Sequence, residues 1–106
     1  MKKKQKPAAV KSNTVIGVIA TNARLTKAGA TKVAQMAQDG LARAIRPAHT
    51  LFDGDTIFAL STGEKKADVS MIGAYAAEVM AQAILRAVRM AVSAGGVPGL
   101  STLHQK

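Results

Sequence analysis

The stretch that decides the fold is TVIGVIA, residues 14–20, where a polar segment gives way to an almost unbroken apolar run. It is rich in β-branched residues, whereas a strand with one face in water alternates apolar and polar side chains. The stretch therefore predicts a strand buried on both faces. Gly17 inside it indicates a close approach by another backbone. A second stretch, TIFALS at residues 56–61, predicts a second buried strand.

Two helices are predicted from apolar residues that recur at helical spacing. Thr26 is a suitable N-cap for the first helix of about 18 residues, and Pro47 ends it because the residue before a proline is pushed away from helical geometry. Its apolar stripe consists of Val33, Met36, Ala37, Leu41, Ala44 and Ile45. The second helix is capped by Asp68 or Ser70 and extends to the Gly-Gly pair at residues 95–96.

The predicted order of elements is strand, helix, strand, helix, which is an α+β arrangement. Two strands form too small a sheet for one short chain to cover both of its faces. We therefore expect the chain to associate with itself or with a partner. The sequence divides into a basic disordered lead at residues 1–13, an α/β domain at residues 14–95 and a C-terminal tail at residues 96–106.

The charge of the chain is strongly positive, with 15 Lys and Arg against 6 Asp and Glu and a net charge of +9. Such an excess suggests an anionic partner such as nucleic acid. Five of the lysines precede Thr14, however, and aromatic residues make up only 3% of the chain, which is poor for stacking on bases. Nucleic acid is therefore not the favoured partner, and a non-catalytic basic nucleic-acid-binding protein remains an alternative.

The composition excludes several other classes of protein. The chain has no Cys, so disulfides, thiolate metal sites and a Cys nucleophile are excluded. Its two His lie far apart in sequence, so neither a metal nor another cofactor is predicted. No apolar run approaches the ~18 residues of a membrane-spanning helix, and the basic lead has no apolar core of a secretory signal. We therefore expect a cytoplasmic protein with no membrane partner.

Three features carry the chemistry of a candidate site. Thr14 lies where the polar lead becomes a buried strand, Asn13 directly precedes it, and Asp53 and Asp55 flank Gly54 at the entry to the second strand. A hydroxyl is a weak nucleophile, and an N-terminal Thr can use its own α-amine, with a pKa of roughly 7.7–8, as the base. Thr is also a common strand former and Asp-Gly-Asp a common turn sequence. By themselves, these residues do not identify an enzyme.

Three longer segments resemble a known family. They are NTVIGVIATN at residues 13–22, LTKAGATKVAQMAQDGLARAIRPAHT at residues 25–50 and FDGDTIFALSTG at residues 52–63. Together they resemble the small, nucleophile-bearing C-terminal subunit of the L-aminopeptidase/D-esterase (DmpA-type) peptidases, and Asn before Thr is closest to the nylon-oligomer hydrolase branch. The resemblance implies an N-terminal-nucleophile hydrolase in which this chain forms the β-α-β-α half of an αββα sandwich.

The resemblance also implies a site and a mechanism. The precursor would cleave itself between Asn13 and Thr14, and Thr14 would become the nucleophile of an amidohydrolase or aminopeptidase that acts through an acyl-enzyme. Asp53 and Asp55 match the two acids of the nylon-hydrolase branch and would position and tune the freed amine. Peptides or small amides are the implied substrates. His49 is a weaker candidate for a base.

Family members carry a long part before the nucleophile, which forms a large subunit and supplies the oxyanion hole. The sequence before Thr14 has no counterpart of that part, so we expect a subunit or fragment that works with a large subunit or by self-association. Ornithine acetyltransferases share the general layout of a Thr nucleophile and a later Asp-Gly-Asp-Thr segment. An acyltransferase of that kind is therefore a further alternative.

Overall fold

The computed structural model describes residues 14–50 and 54–103. Its elements, in chain order, are β1 (Ile16–Ala23), α1 (Lys27–Ala44), β2 (Thr56–Lys65), α2 (Val69–Met90) and a short α3 (Leu100–Leu103). The predicted order of strand, helix, strand, helix is confirmed, and the fold is α+β. The lead predicted at residues 1–13 lies outside the described residues.

The two strands pair in parallel, with Ile16 opposite Thr56 and the register continuing to Thr21 opposite Ser61. Helix α1 makes the crossover between them, because parallel strands cannot be joined by a tight turn. The pairing extends one residue before β1, where the Thr56 N–H donates to the Val15 carbonyl at 2.9 Å. Both strands therefore start at the same end of the sheet, where the main chain next to Thr14 meets Asp55.

Helix α1 confirms the predicted cap and length. It has 18 residues, the Thr26 side chain accepts a hydrogen bond from the Gly29 N–H at 3.0 Å, and the helix ends at Ala44, before Pro47. Its stripe packs on the sheet and on α2. The core consists of Ile19, Val33, Ala37, Leu41, Ile57, Ala76 and Met80. Gly17 lies against the Met80 side chain rather than against a backbone, since an added Cβ there would lie 2.8 Å from the Met80 Cε.

The helices cover one face of the sheet, and the other face is open in the described part of the chain. We call this second face the open face; it carries Ile16, Val18, Phe58 and Leu60, all exposed. Their neighbours Ile19 and Ile57 point to the helices and are buried. The apolar pattern predicted burial on both faces, but helices α1 and α2 lie on the same side. The apolar side chains of the open face therefore contact water in the chain by itself.

Helix α2 begins at the predicted cap, where the Asp68 side chain accepts from the Met71 N–H at 3.1 Å. It ends at Met90, earlier than predicted, because the backbone is already extended at Ala91, with φ −66° and ψ 135°. The chain turns back only at Gly95 and Gly96, whose φ angles of 58° and 81° favour glycine. The Ser101 N–H then donates to the Ala91 carbonyl. Helix α3 thus lies in the segment predicted as a tail, and the domain boundary at residue 95 stays a prediction.

Among the described residues, α2 is the helix long and apolar enough to cross a membrane by length and composition. Sequence analysis did not predict such a helix, because Glu78, Arg86 and Arg89 interrupt its apolar run. One helix of this kind is weak evidence, since core helices meet the same criterion. In α2, 22% of the apolar 18-residue stretch is buried inside the protein, including Ala76, Ala77 and Met80.

The close packing of the two long helices depends on Gly40. A Cβ at this position would collide with the Ala77 carbonyl oxygen of α2. We expect Gly40→Ala to lower the free energy of unfolding by about 1–3 kcal/mol, although alanine favours a helix by about 1 kcal/mol over glycine. Urea unfolding measures the change, and Ala42→Gly on the exposed side of α1 calibrates helix propensity. A Gly40→Ala chain more stable than the wild type would contradict the close approach.

Candidate active site

At the start of the sheet, the main chain directly before β1 contacts the Asp55 side chain. The Val15 N–H donates to the Asp55 Oδ1 at 3.1 Å, a contact between residues 40 positions apart in sequence. Thr14, exposed, is the residue directly before Val15. The parallel register causes this meeting, because it pairs Ile16 with Thr56 and so brings the residues directly before them, Val15 and Asp55, together. Asp55 and the main chain that carries Thr14 are therefore held to each other.

Asp55 is a nearly buried carboxylate with both oxygens engaged. Its side chain is 4% exposed, and its Oδ2 lies 3.0 Å from the His49 Nδ1. Removing a carboxylate from water is unfavourable unless hydrogen bonds compensate, and here the Val15 amide and the His49 ring supply them. The site therefore holds a negative charge next to the residue that follows Thr14.

The predicted site residues divide into two groups. The structure brings Asp55 to the segment that carries Thr14, whereas Asn13 and Asp53 lie outside the described residues. The role of Asp53, and cleavage after Asn13, stay predictions. His49 was predicted only as a weaker candidate, because nothing in its spacing indicates that the loop between α1 and β2 turns its ring toward Asp55.

A pair of charged side chains also connects the two long helices. The exposed Arg43 and Glu78 form an ion pair with 3.6 Å between Nη1 and Oε1, which links α1 to α2. Within residues 14–50 and 54–103, no three His, Asp or Glu side chains are grouped so that they could hold a metal ion.

An apolar groove starts beside the site and follows β1. Its volume is about 360 Å³, and α2 forms its other wall through Met80, Ile84 and Val88. Val15 and Ile16 line the strand side, so the groove begins one residue after Thr14. The groove is open and mostly apolar, and it lies next to the segment that carries the candidate nucleophile.

The interaction of Asp55 with the Val15 amide should contribute measurably to stability. We expect Asp55→Ala to lower the free energy of unfolding by about 1.5–3 kcal/mol, because it leaves the Val15 N–H without its acceptor and removes a charged hydrogen bond. Urea unfolding of the chain tests this. Asp68→Ala, which removes only a helix cap, should lower it by about 1 kcal/mol. Equal effects of the two substitutions would contradict a special role of Asp55 in holding the strand ends.

Thr14 thus lies at the start of a parallel sheet, one residue before the amide that donates to the nearly buried Asp55 carboxylate, and its hydroxyl is the candidate nucleophile of this site. The sequence profile of Peptidase family S58 matches residues 1–102. The chain belongs to this family, and the resemblance to the DmpA-type and nylon-oligomer hydrolases is confirmed at that level.

Curated relatives carry hydrolase names. An uncharacterized aminopeptidase of Mycobacterium leprae is 46% identical, over 81% of this chain and 28% of its own length. An uncharacterized aminopeptidase of Mycobacterium tuberculosis strain H37Rv is 44% identical, over 81% of this chain and 29% of its own. A 6-aminohexanoate-oligomer endohydrolase of Kocuria sp. is 32% identical, over 78% of this chain and 27% of its own. The chain thus spans less than a third of the length of these relatives.

Proposed function

We propose that this chain is the nucleophile-bearing small subunit, or the corresponding fragment, of a self-processing amidohydrolase of family S58, with Thr14 as its nucleophile. The observation that carries the proposal is the 3.1 Å hydrogen bond from the Val15 N–H to Asp55. It fixes the main chain next to Thr14 at the end of the sheet, beside a carboxylate. Membership of a peptidase family and the hydrolase names of the relatives support the amide class of substrate.

The first step of the proposed mechanism is self-cleavage. The Thr14 Oγ attacks the carbonyl carbon of Asn13, the bond between that carbon and the Thr14 nitrogen breaks, and an ester to Oγ forms. The nitrogen takes up the proton that Oγ loses. Water then hydrolyses the ester, which returns the hydroxyl to Thr14 and leaves its α-amine free. This sequence supplies the chain with a base attached to its own nucleophile.

The second step is hydrolysis of an amide substrate. The free amine, with a pKa of roughly 7.7–8, takes the Oγ proton as Oγ attacks the substrate carbonyl. The leaving amine receives that proton, and an acyl-enzyme remains until water attacks it. Asp55 holds the main chain of the following residue and places a negative charge near the ammonium. Asp53 is proposed to act with it, and the oxyanion donors are proposed to come from the large subunit.

The open face is proposed to pack on a second sheet, which would complete an αββα sandwich. Four exposed apolar side chains, Ile16, Val18, Phe58 and Leu60, form a surface suited to such a layer. The part of the relatives that this chain does not match is more than twice as long as the matched part. A large subunit of that size supplies the second sheet in the proposal, and self-association is the other outcome.

Trapping of the acyl-enzyme tests the function. We define the hybrid assembly as this chain co-expressed with the part of the Mycobacterium leprae relative outside the matched region. After a short incubation with an amino-acid 4-nitroanilide and an acid quench, tryptic mapping should find the acyl group on the peptide that begins at Thr14 and ends at Arg24. Acylation of any other peptide, or none during turnover, would contradict Thr14 as the nucleophile.

A further inference from the structure

His49 occupies an unusual position for a loop residue. It is the one non-glycine residue with a positive φ, 57°, among residues 14–50 and 54–103. L-residues other than glycine rarely adopt this left-handed conformation, although Asn, Asp and His tolerate it better than others. Such a residue is retained where the surrounding structure holds it, and it indicates a functional constraint.

The left-handed turn coincides with the contact between the His49 ring and Asp55. The ring is 43% exposed, but its Nδ1 lies 3.0 Å from the Oδ2 of a carboxylate that is only 4% exposed. The other oxygen, Oδ1, accepts from the Val15 N–H at 3.1 Å. Each oxygen of Asp55 is therefore held by a different segment, and the carboxylate joins the loop before β2 to the residue after Thr14.

We propose that His49 is a positioning residue that orients Asp55 and, through it, the backbone that presents Thr14. The role of Thr14 in this statement rests on the proposed function, whereas the orientation of Asp55 and Val15 does not. An ionised carboxylate only accepts hydrogen bonds, so the His49 Nδ1 carries the donated hydrogen. Without that donor, the Asp55 carboxylate is free to rotate about its side-chain bonds, and its hydrogen bond to Val15 weakens.

Two substitutions of His49 distinguish the effect of its hydrogen-bond donor from the effect of its backbone conformation. His49→Asn keeps a donor near the position of Nδ1 and tolerates a positive φ. His49→Gly adopts the same backbone conformation freely but has no donor. Because both are compatible with the loop, a difference between them reports the contact with Asp55 and not the strain of the turn.

Amide hydrogen exchange of the 106-residue chain is the first measurement. The Val15 amide should exchange about tenfold faster in His49→Gly than in the wild type, since a hydrogen bond to a charged acceptor is weakened. In His49→Asn it should stay within about threefold of the wild type. The Leu41 amide in the buried part of α1 is the reference and should not change. An unchanged Val15 amide in His49→Gly would overturn the proposal, as would equal acceleration at Leu41, because a positioning residue acts locally.

Kinetics of the hybrid assembly are the second measurement. We expect His49→Gly to lower kcat with little change in KM, and His49→Asn to restore kcat, because the substituted side chain orients the nucleophile and does not bind substrate. Equal kcat in both variants would contradict the positioning role. Failure of the proposed function would give a different result. The wild-type assembly would then release no 4-nitroaniline, while hydrogen exchange of the Val15 amide would still depend on the residue at position 49.

Discussion

Thr14→Ala is expected to abolish both self-cleavage and amide hydrolysis in the hybrid assembly. The substitution removes the side-chain oxygen proposed to attack both the Asn13 carbonyl and the substrate carbonyl, and loss of a nucleophile in hydrolases that form acyl-enzymes lowers kcat by about 10³-fold or more. Thr14→Ser keeps a hydroxyl at the same position and should retain measurable cleavage and turnover. Release of 4-nitroaniline from an amino-acid 4-nitroanilide measures turnover.

The matched control for this prediction is Thr31→Ala. Thr31 is exposed on α1, and its hydroxyl donates to the Lys27 carbonyl of the preceding turn at 3.0 Å and takes no part in the contacts of Asp55 with Val15 and His49. Its loss should leave kcat within about twofold, as for surface substitutions with effects within ±0.5 kcal/mol. Turnover by Thr14→Ala equal to that of Thr31→Ala would assign the reaction to another residue.

Phe58→Glu is expected to prevent assembly while it leaves the chain folded. Phe58 belongs to the open face and is 58% exposed, so a charge there contacts water in the chain by itself. In an assembly, the same charge would be buried against an apolar layer without a partner, which is strongly unfavourable. We expect the affinity for the large part of the hybrid assembly to fall by at least about 100-fold. Light scattering after size-exclusion chromatography measures the complex.

The adjacent residue on the same strand gives the matched comparison. Ile57 points to the helices and is 8% exposed, so Ile57→Glu should unfold the chain by burying a charge in its core. Circular dichroism separates the two outcomes, because Phe58→Glu should keep the helical signal and Ile57→Glu should lose it. A Phe58→Glu chain that still assembles with wild-type affinity would contradict a covering layer on the open face.

Local signals predicted much of the fold. Thr26, Pro47 and Asp68 act within one turn of the chain, so the start and end of α1 and the start of α2 follow from the residues themselves. The earlier end of α2 depends on how the segment after Met90 folds back toward Ala91, and no periodicity in the sequence describes that return.

The candidate site was only partly predicted. A contact made by a loop residue, like the return of the chain after Met90, leaves no repeating pattern in the sequence. The family resemblance named Thr14 and Asp55, and the parallel register then explains why they share one end of the sheet. The contact of His49 with Asp55 depends on a left-handed turn at one loop residue, and a single loop residue carries no repeating pattern. The apolar strands predicted burial on both faces and the small sheet predicted a partner; the open face agrees with the second expectation, while its burial stays a prediction.

The N-terminal residue of the mature chain tests the central claim most directly. Trypsin cleaves after Lys11 and Arg24, so an uncleaved chain yields the peptide at residues 12–24, whereas a self-cleaved chain yields the one at residues 14–24. Mass spectrometry of the hybrid assembly should find the shorter peptide in the wild type and the longer one in Thr14→Ala. The shorter form in Thr14→Ala, with alanine at its start, would contradict cleavage by Thr14.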